Sequence, residues 1–348
     1  MRNSIVAVAR SLAVVAGVSF ALAAAAQSPA VSPAEADQAK KQAAQQIAQP
    51  LNNQPVWNEI RSGEKQYTSV QGRETSILIQ PQGQTWRAAR VPLATAGGFL
   101  FALTLVAIAV FYLLRGPISL HSPPTGRMIE RFTLVERAVH WSVAITFTVL
   151  AVTGLVLTFG KTVLLPLIGS WLFSWLATLA KGLHNFVGPV LVIVLPIMIV
   201  LFLRENLFRS YDWEWLKKAG GMFSGKAVPA GKANAGQKVL FWLMVVGCGI
   251  TLAVTGLILD FPNFNQTRAT MQVANIVHTV VGLIGIILVT GHIYLGTIGM
   301  RGALDAMRTG YVDETWAREH HEYWYNEVKS GKAAGEGASS LPVRERTA

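Results

Sequence analysis

Charge is scarce in this chain and cysteine is nearly absent. Only 14% of its 348 residues are charged and 51% are hydrophobic, with a mean hydropathy of +0.39, whereas a soluble domain is about one-quarter charged. That shortage excludes an ordinary soluble globular protein. The single cysteine, Cys248, sits inside an apolar run, so there is no internal disulfide framework and no Cys-x-x-Cys-His motif for covalent attachment of a porphyrin. Acidic residues are also few, 19 against 30 Lys and Arg, giving a formal net charge of +11.

What is abundant is long apolar sequence. Roughly 20 apolar residues at a rise of about 1.5 Å cross a bilayer core, and five stretches near 92–114, 138–158, 184–203, 239–260 and 275–299 meet that length. The fold expected is an all-α integral membrane protein, with one additional N-terminal span (92–114) ahead of a four-helix bundle over 138–300. Residues 1–26, with Arg2 and Arg10, an apolar stretch and a small-residue end, read as a secretory signal peptide, an uncleaved anchor being the alternative. Residues 27–91 are rich in Gln, Ala, Asn and Pro and read as an exported segment with little to build a core.

Export of residue 27 sets the first crossing outside to inside, and the basic residues agree with that orientation. Arg115, Arg127, Arg131 and Arg137 fall in the linker 115–137, and Arg204, Arg209, Lys217, Lys218, Lys226, Lys232 and Lys238 precede the fourth span. The expected outside loops carry only Lys161, Lys181 and Arg268. The tail 301–348 is then cytoplasmic and the mature N-terminus periplasmic, in a bacterial inner membrane. Basic loops facing anionic lipid account for the net charge without any nucleic acid.

An internal repeat links the helices in pairs. Leu150-Ala-Val-Thr-Gly154-Leu recurs as Leu252-Ala-Val-Thr-Gly256-Leu, and His184-Asn-Phe-Val-Gly188 is matched loosely by His278-Thr-Val-Val-Gly282. His184 and His278 are therefore expected at the same depth, near the outer face. His278 and His292 are 14 residues apart, about 21 Å along one helix face, which puts His292 near the inner face, level with His140. Ionisable residues inside a membrane face the interior or a cofactor. A lone histidine bonded to a backbone carbonyl would be unremarked, but four in two depth classes fit two six-coordinate hemes, one imidazole on each side of each iron. The pairs expected are His184 with His278, outer, and His140 with His292, inner. Gly154, Gly188, Gly282 and Gly285 give room for a porphyrin edge, ordinary helix packing being the alternative. Zinc and copper fit poorly, with neither Cys/His clustering nor carboxylate partners.

Glu130-Arg-Phe-Thr-Leu-Val-Glu-Arg-Ala-Val-His140-Trp141, Leu183-His-Asn-Phe-Val-Gly188, Asn234-Ala-Gly-Gln-Lys238, Ile276-Val-His278, Gly291-His292-Ile-Tyr and Trp316-Ala-Arg-Glu-His-His-Glu-Tyr-Trp-Tyr325 resemble the cytochrome b (γ) subunit of membrane-bound respiratory formate dehydrogenases, over about residues 127–328. The resemblance implies a subunit without a formate-oxidising site of its own. It takes electrons from an iron–sulfur subunit, fed by a molybdenum or tungsten formate-oxidising subunit, through two hemes b to menaquinone or ubiquinone on the cytoplasmic side. It also implies the same heme pairs, and a quinone near His292, Asn234, Gly236 and Gln237. Residues alone make that last loop only a polar turn. Cytochromes b of nickel–iron hydrogenase or thiosulfate reductase, and a non-redox scaffold or transporter, are the competing readings. The signal, exported segment and first span depart from the family. Arg131 and Arg137 are expected to anchor the inner face or meet heme propionates. His320 and His321, with Trp316, Trp324 and Tyr325, are expected to form an interfacial helix or to touch a partner, His121 is expected to be solvated, and Cys248 belongs to the core.

Overall fold

A computed structural model describes residues 81–331 except 223, 224, 226 and 265, with scattered residues between 37 and 79 and the pair 344–345. The signal and most of the exported segment lie outside the described residues. Among the described residues, five helices are long and apolar enough to cross a membrane: α1 (Pro81–Arg115), α2 (Leu134–Val163), α3 (Leu165–Phe202), α5 (Ala235–Asp260) and α6 (Arg268–Gly299). The architecture is the all-α membrane fold expected, a multi-pass membrane protein. The short α4 (Asp212–Lys217) lies between α3 and α5, and α7 (Ala303–Arg308), α8 (Glu314–His320) and α9 (Glu322–Lys329) follow the last span.

Helix ends follow local chemistry. Thr133 caps α2, its hydroxyl accepting from Glu136 N while the Glu136 carboxylate accepts from Thr133 N, the reciprocal capping box. Asn234 and Gln237 repeat the device at the start of α5. The expected outside loop before 184 is instead helical, α3 starting at Leu165; Gly169, at φ 74°, breaks the helix direction without unwinding the apolar run. Within α5, Phe241–Cys248 is π-helical, as is Leu295–Gly299 at the end of α6.

By Cα proximity the chain falls into two compact units. One comprises residues 1–96 with 254–280; in it Arg90 Nε donates to Asn275 Oδ1 at 2.8 Å. The other comprises 97–253 with 281–348. There Gly97 and Gly98 let α1 approach its neighbours: a Cβ at Gly97 would come within 2.5 Å of Leu283, and one at Gly98 within 3.0 Å of the Phe159 ring. Small residues at such crossings are how membrane helices gain van der Waals contact. Away from that contact α1 exposes Leu100, Leu103, Val106 and Leu113, apolar surface suited to lipid.

The second unit also holds a polar cap. Strand β1 (Arg127–Glu130) runs antiparallel to β2 (Tyr311–Asp313), and Phe132, Phe202, Phe241, Val312, Trp316, Trp324 and Tyr325 form a core beside them. The expectation that Trp316 and His321 face an interface is corrected: they are 3% and 1% exposed, buried in this chain's own core. Arg131 is corrected likewise. It is 5% exposed, and its Nη2 donates to the Lys232 carbonyl at 2.7 Å and to His321 Nε2 at 2.9 Å. It reaches neither solvent nor a surface anchoring position.

Candidate functional site

The repeat has a structural meaning that concerns its threonines. On α2, Thr153 Oγ1 lies 2.9 Å from Nδ1 of His184 on α3, and a Cβ at Gly154 would lie 3.4 Å from His184 Cε1. In the other unit, Thr255 Oγ1 lies 2.9 Å from Nδ1 of His278, and a Cβ at Gly256 would lie 3.4 Å from His278 Cε1. The same Thr-Gly dipeptide grips the same edge of each imidazole. Gly154 and Gly256 thus stand beside the histidine ring, where a Cβ would make van der Waals contact with Cε1.

Thr153 Oγ1 also lies 2.7 Å from the Val149 carbonyl of its own helix. A hydroxyl that gives its single proton to that carbonyl offers lone pairs to His184, and Nδ1 then carries the ring proton and Nε2 the lone pair. A metal-binding imidazole commonly donates its other N–H in this way, which fixes ring orientation.

His140 on α2 and His292 on α6 come together ring to ring, centroids 6.2 Å apart and planes at 62°. Two bonds of roughly 2 Å from imidazole nitrogen to a metal, plus roughly 1 Å from each nitrogen to its ring centre, give about 6 Å. The separation fits two axial ligands on one iron. Trp141 stands edge-on to His140, and its Nε1 donates to the Met307 carbonyl at 3.0 Å. Nδ1 of His140 is buried with no hydrogen-bond partner among the described residues.

A profile of the prokaryotic cytochrome b561 family matches residues 131–310. The chain belongs to that family. As the family implies, it is a cytochrome that carries heme b, and the histidine geometry fits that group. Among curated relatives, the cytochrome b556(Fdn) subunit of the nitrate-inducible formate dehydrogenase of Escherichia coli (strain K12) is 32% identical over 224 residues, 62% of this chain and 99% of the relative. The cytochrome b556(fdo) subunit of formate dehydrogenase from the same organism is 32% identical over 206 residues, 58% of this chain and 93% of the relative. The formate dehydrogenase cytochrome b556 subunit of Haemophilus influenzae is 27% identical, over 57% of this chain and 83% of the relative.

In this cytochrome, the loop named for quinone is built into the cap. The side-chain oxygens of Asn234 and Gln237 are engaged in the capping box, at 2.9 and 3.0 Å, which leaves their amide nitrogens outside it. Arg131 Nη2 also reaches Gln237 Oε1, at 3.5 Å. Gly236 has a packing reason of its own, since a Cβ there would lie 2.9 Å from the Trp215 ring. The next residue, Lys238, is buried and pairs with buried Asp212 at 2.7 Å, each side chain 2% exposed. Nearby, Lys232 pairs with Glu136 at 2.8 Å, joining this loop to the start of α2.

Sequence reading missed the Arg131–His321 pair. Arginine has only donors, so His321 Nε2 accepts and its Nδ1–H donates to the Gly231 carbonyl, 2.6 Å away. Burial first, then the neighbouring Arg131 charge, hold His321 well below the usual histidine range. Burial also brings Arg131 down to about 9. His121, expected to be solvated, is exposed but meets Glu319 at 3.3 Å.

Proposed function

We propose that this chain is the di-heme cytochrome b membrane subunit of a formate dehydrogenase that reduces quinone. The observation that supports the reading is the approach of the His140 and His292 rings, centroids 6.2 Å apart, with His184 and His278 each 2.9 Å from a threonine hydroxyl through Nδ1, in a chain whose curated relatives are named as formate dehydrogenase cytochrome subunits. His140 and His292 hold the inner heme, and His184 and His278 the outer one. The outer pairing rests on the sequence repeat and on the family resemblance. When bound, the two hemes b supply one-electron chemistry by which electrons from an iron–sulfur subunit reach menaquinone or ubiquinone on the cytoplasmic side.

The chain's own residues bind, orient and exclude water. Asn234 and Gln237 present amide N–H groups suited to a quinone carbonyl, on a loop whose backbone Gly236, Trp215 and the capping box keep fixed. A molybdenum or tungsten subunit oxidises the formate and the iron–sulfur subunit joins it to this chain. The membrane is the bacterial inner membrane, with the basic loops and the cap on the cytoplasmic side and the mature N-terminus outside.

The test is made on the purified complex. Pyridine hemochrome analysis is expected to give two extractable hemes b per chain, both reduced by formate. Gln237→Ala is expected to slow quinone reduction several-fold with both hemes kept. One heme per chain, or hemes that formate leaves oxidised, sinks the reading; an unaltered quinone rate in Gln237→Ala removes that residue from the quinone site.

A further inference from the structure

We propose that Thr153 and Thr255 are positioning residues for the outer heme: each hydroxyl fixes the ring of one axial histidine and, by accepting its Nδ1 proton, sets how strongly that histidine donates to iron. The proposal rests on the reading that His184 and His278 are the outer ligands.

Threonine in a membrane helix ordinarily returns its hydroxyl to the carbonyl one turn back and interacts with nothing else. Thr146, Thr148, Thr279, Thr290 and Thr297 do this within their own helices, with bonds of 2.7, 2.7, 2.8, 2.7 and 2.6 Å to the carbonyls of Ser142, Ala144, Asn275, Ile286 and Ile293. Thr153 makes that bond to Val149 and in addition lies 2.9 Å from His184 Nδ1. Thr255 Oγ1 lies at the same 2.9 Å from His278 Nδ1. The Thr-Gly step is what the two copies of the repeat share at this contact, and a Cβ on its second member would lie 3.4 Å from the ring's Cε1 in both. Two independent copies of one contact, 31 and 23 residues apart in sequence, argue against incidental packing.

The physical effect follows from charge. A hydroxyl that already donates to a carbonyl is polarised and accepts more strongly. Accepting the Nδ1 proton raises the basicity of the opposite nitrogen, and a ferric iron gains more from a basic ligand than a ferrous one. Each threonine therefore lowers the potential of the heme its histidine serves. The hydroxyl also holds the imidazole plane against rotation, which sets the low-spin ferric signal.

The experiment is potentiometry of the α band with electron paramagnetic resonance of the oxidised complex. Thr153→Val is expected to keep two hemes per chain, raise the midpoint of one of them and leave the other in place, and move one low-spin signal. Thr153→Ser is expected to return both to the wild-type values. Thr255→Val is expected to shift the same heme, and the double variant to shift it further. Unchanged potentials and signals in a two-heme Thr153→Val complex overturn the proposal, and so does a serine variant that behaves like valine, since packing alone would then explain the shift. If valine at 153 costs the heme, the same measurements on Thr255→Val decide. A wild-type complex with fewer than two hemes defeats the underlying heme reading instead, so the two failures are told apart by stoichiometry.

Discussion

His184 and His278 each meet a threonine hydroxyl at 2.9 Å, while His140 and His292 meet each other, and Nδ1 of His140 lies buried without a partner among the described residues. One pair is held by hydrogen bonds to threonines of a neighbouring helix, the other by the packing of its surroundings, with Trp141 tied to Met307 beside it. The difference teaches that an imidazole inside a helix bundle can be oriented in two ways, of which only a hydrogen bond at Nδ1 also tunes its basicity. It also ties His140 to the integrity of the cap, since Met307, on α7, packs against the cap's core.

The comparison breaks most plainly by removing a ligand. His292→Ala is expected to lower the pyridine hemochrome count from two hemes per chain to one, the remaining heme still being reduced by formate. Retention of two hemes would show that the facing rings do not share an iron. A smaller effect is expected from Lys238→Met, which leaves Asp212 buried and uncompensated. Breaking such a pair costs about 3–5 kcal/mol, read as a lowered unfolding midpoint and as loss of the inner heme before the outer on heating. Simultaneous loss of both would show that the cap does not support one site in particular.

The smallest effect concerns pH. His321 is neutral in the fold, held there by burial, Arg131 and His320, and its folded pKa lies below the unfolded value of about 6.5. Its contribution is therefore complete above about 6.5 and is lost as pH falls below it. His320, brought by burial to about 4, adds in the same direction. Thermal unfolding midpoints are expected to fall between pH 7.5 and 5, and His321→Gln, which can still donate to Gly231 and accept from Arg131, is expected to make that fall shallower. An unchanged slope would remove His321 from the cap's acid sensitivity.

Much of this was legible in the chain itself, and the reasons differ by element. Spans declare themselves through apolar length, and the four histidines through their cost in a membrane. The repeat was visible too, but its threonines passed unnoticed because a span contains many, and only the neighbouring helix shows which two turn toward a histidine. The Thr133-x-x-Glu136 box was readable as a helix start. Arg131 was not readable, because its acceptor His321 lies 190 residues away and a basic residue beside a span ordinarily anchors in the headgroups. The helix from Leu165 was obscured by Lys161 and Lys181, which resemble loop boundaries when burial is unknown.

The pairing of β1 with β2 imposes an order of birth on the molecule. Met128 leaves the ribosome 185 residues before Asp313, its partner across the ladder, and at about 5–20 residues per second that interval is roughly 10–40 s. Throughout it the guanidinium of Arg131 has neither His321 to bond nor the Trp316 ring, 4.9 Å away in the finished fold, to lie against. The cap can close only when the last span has been made. A chain cut short after α6 thus keeps its membrane helices and leaves Phe132 and Arg131 uncovered, so that completeness of translation is written on the protein's surface.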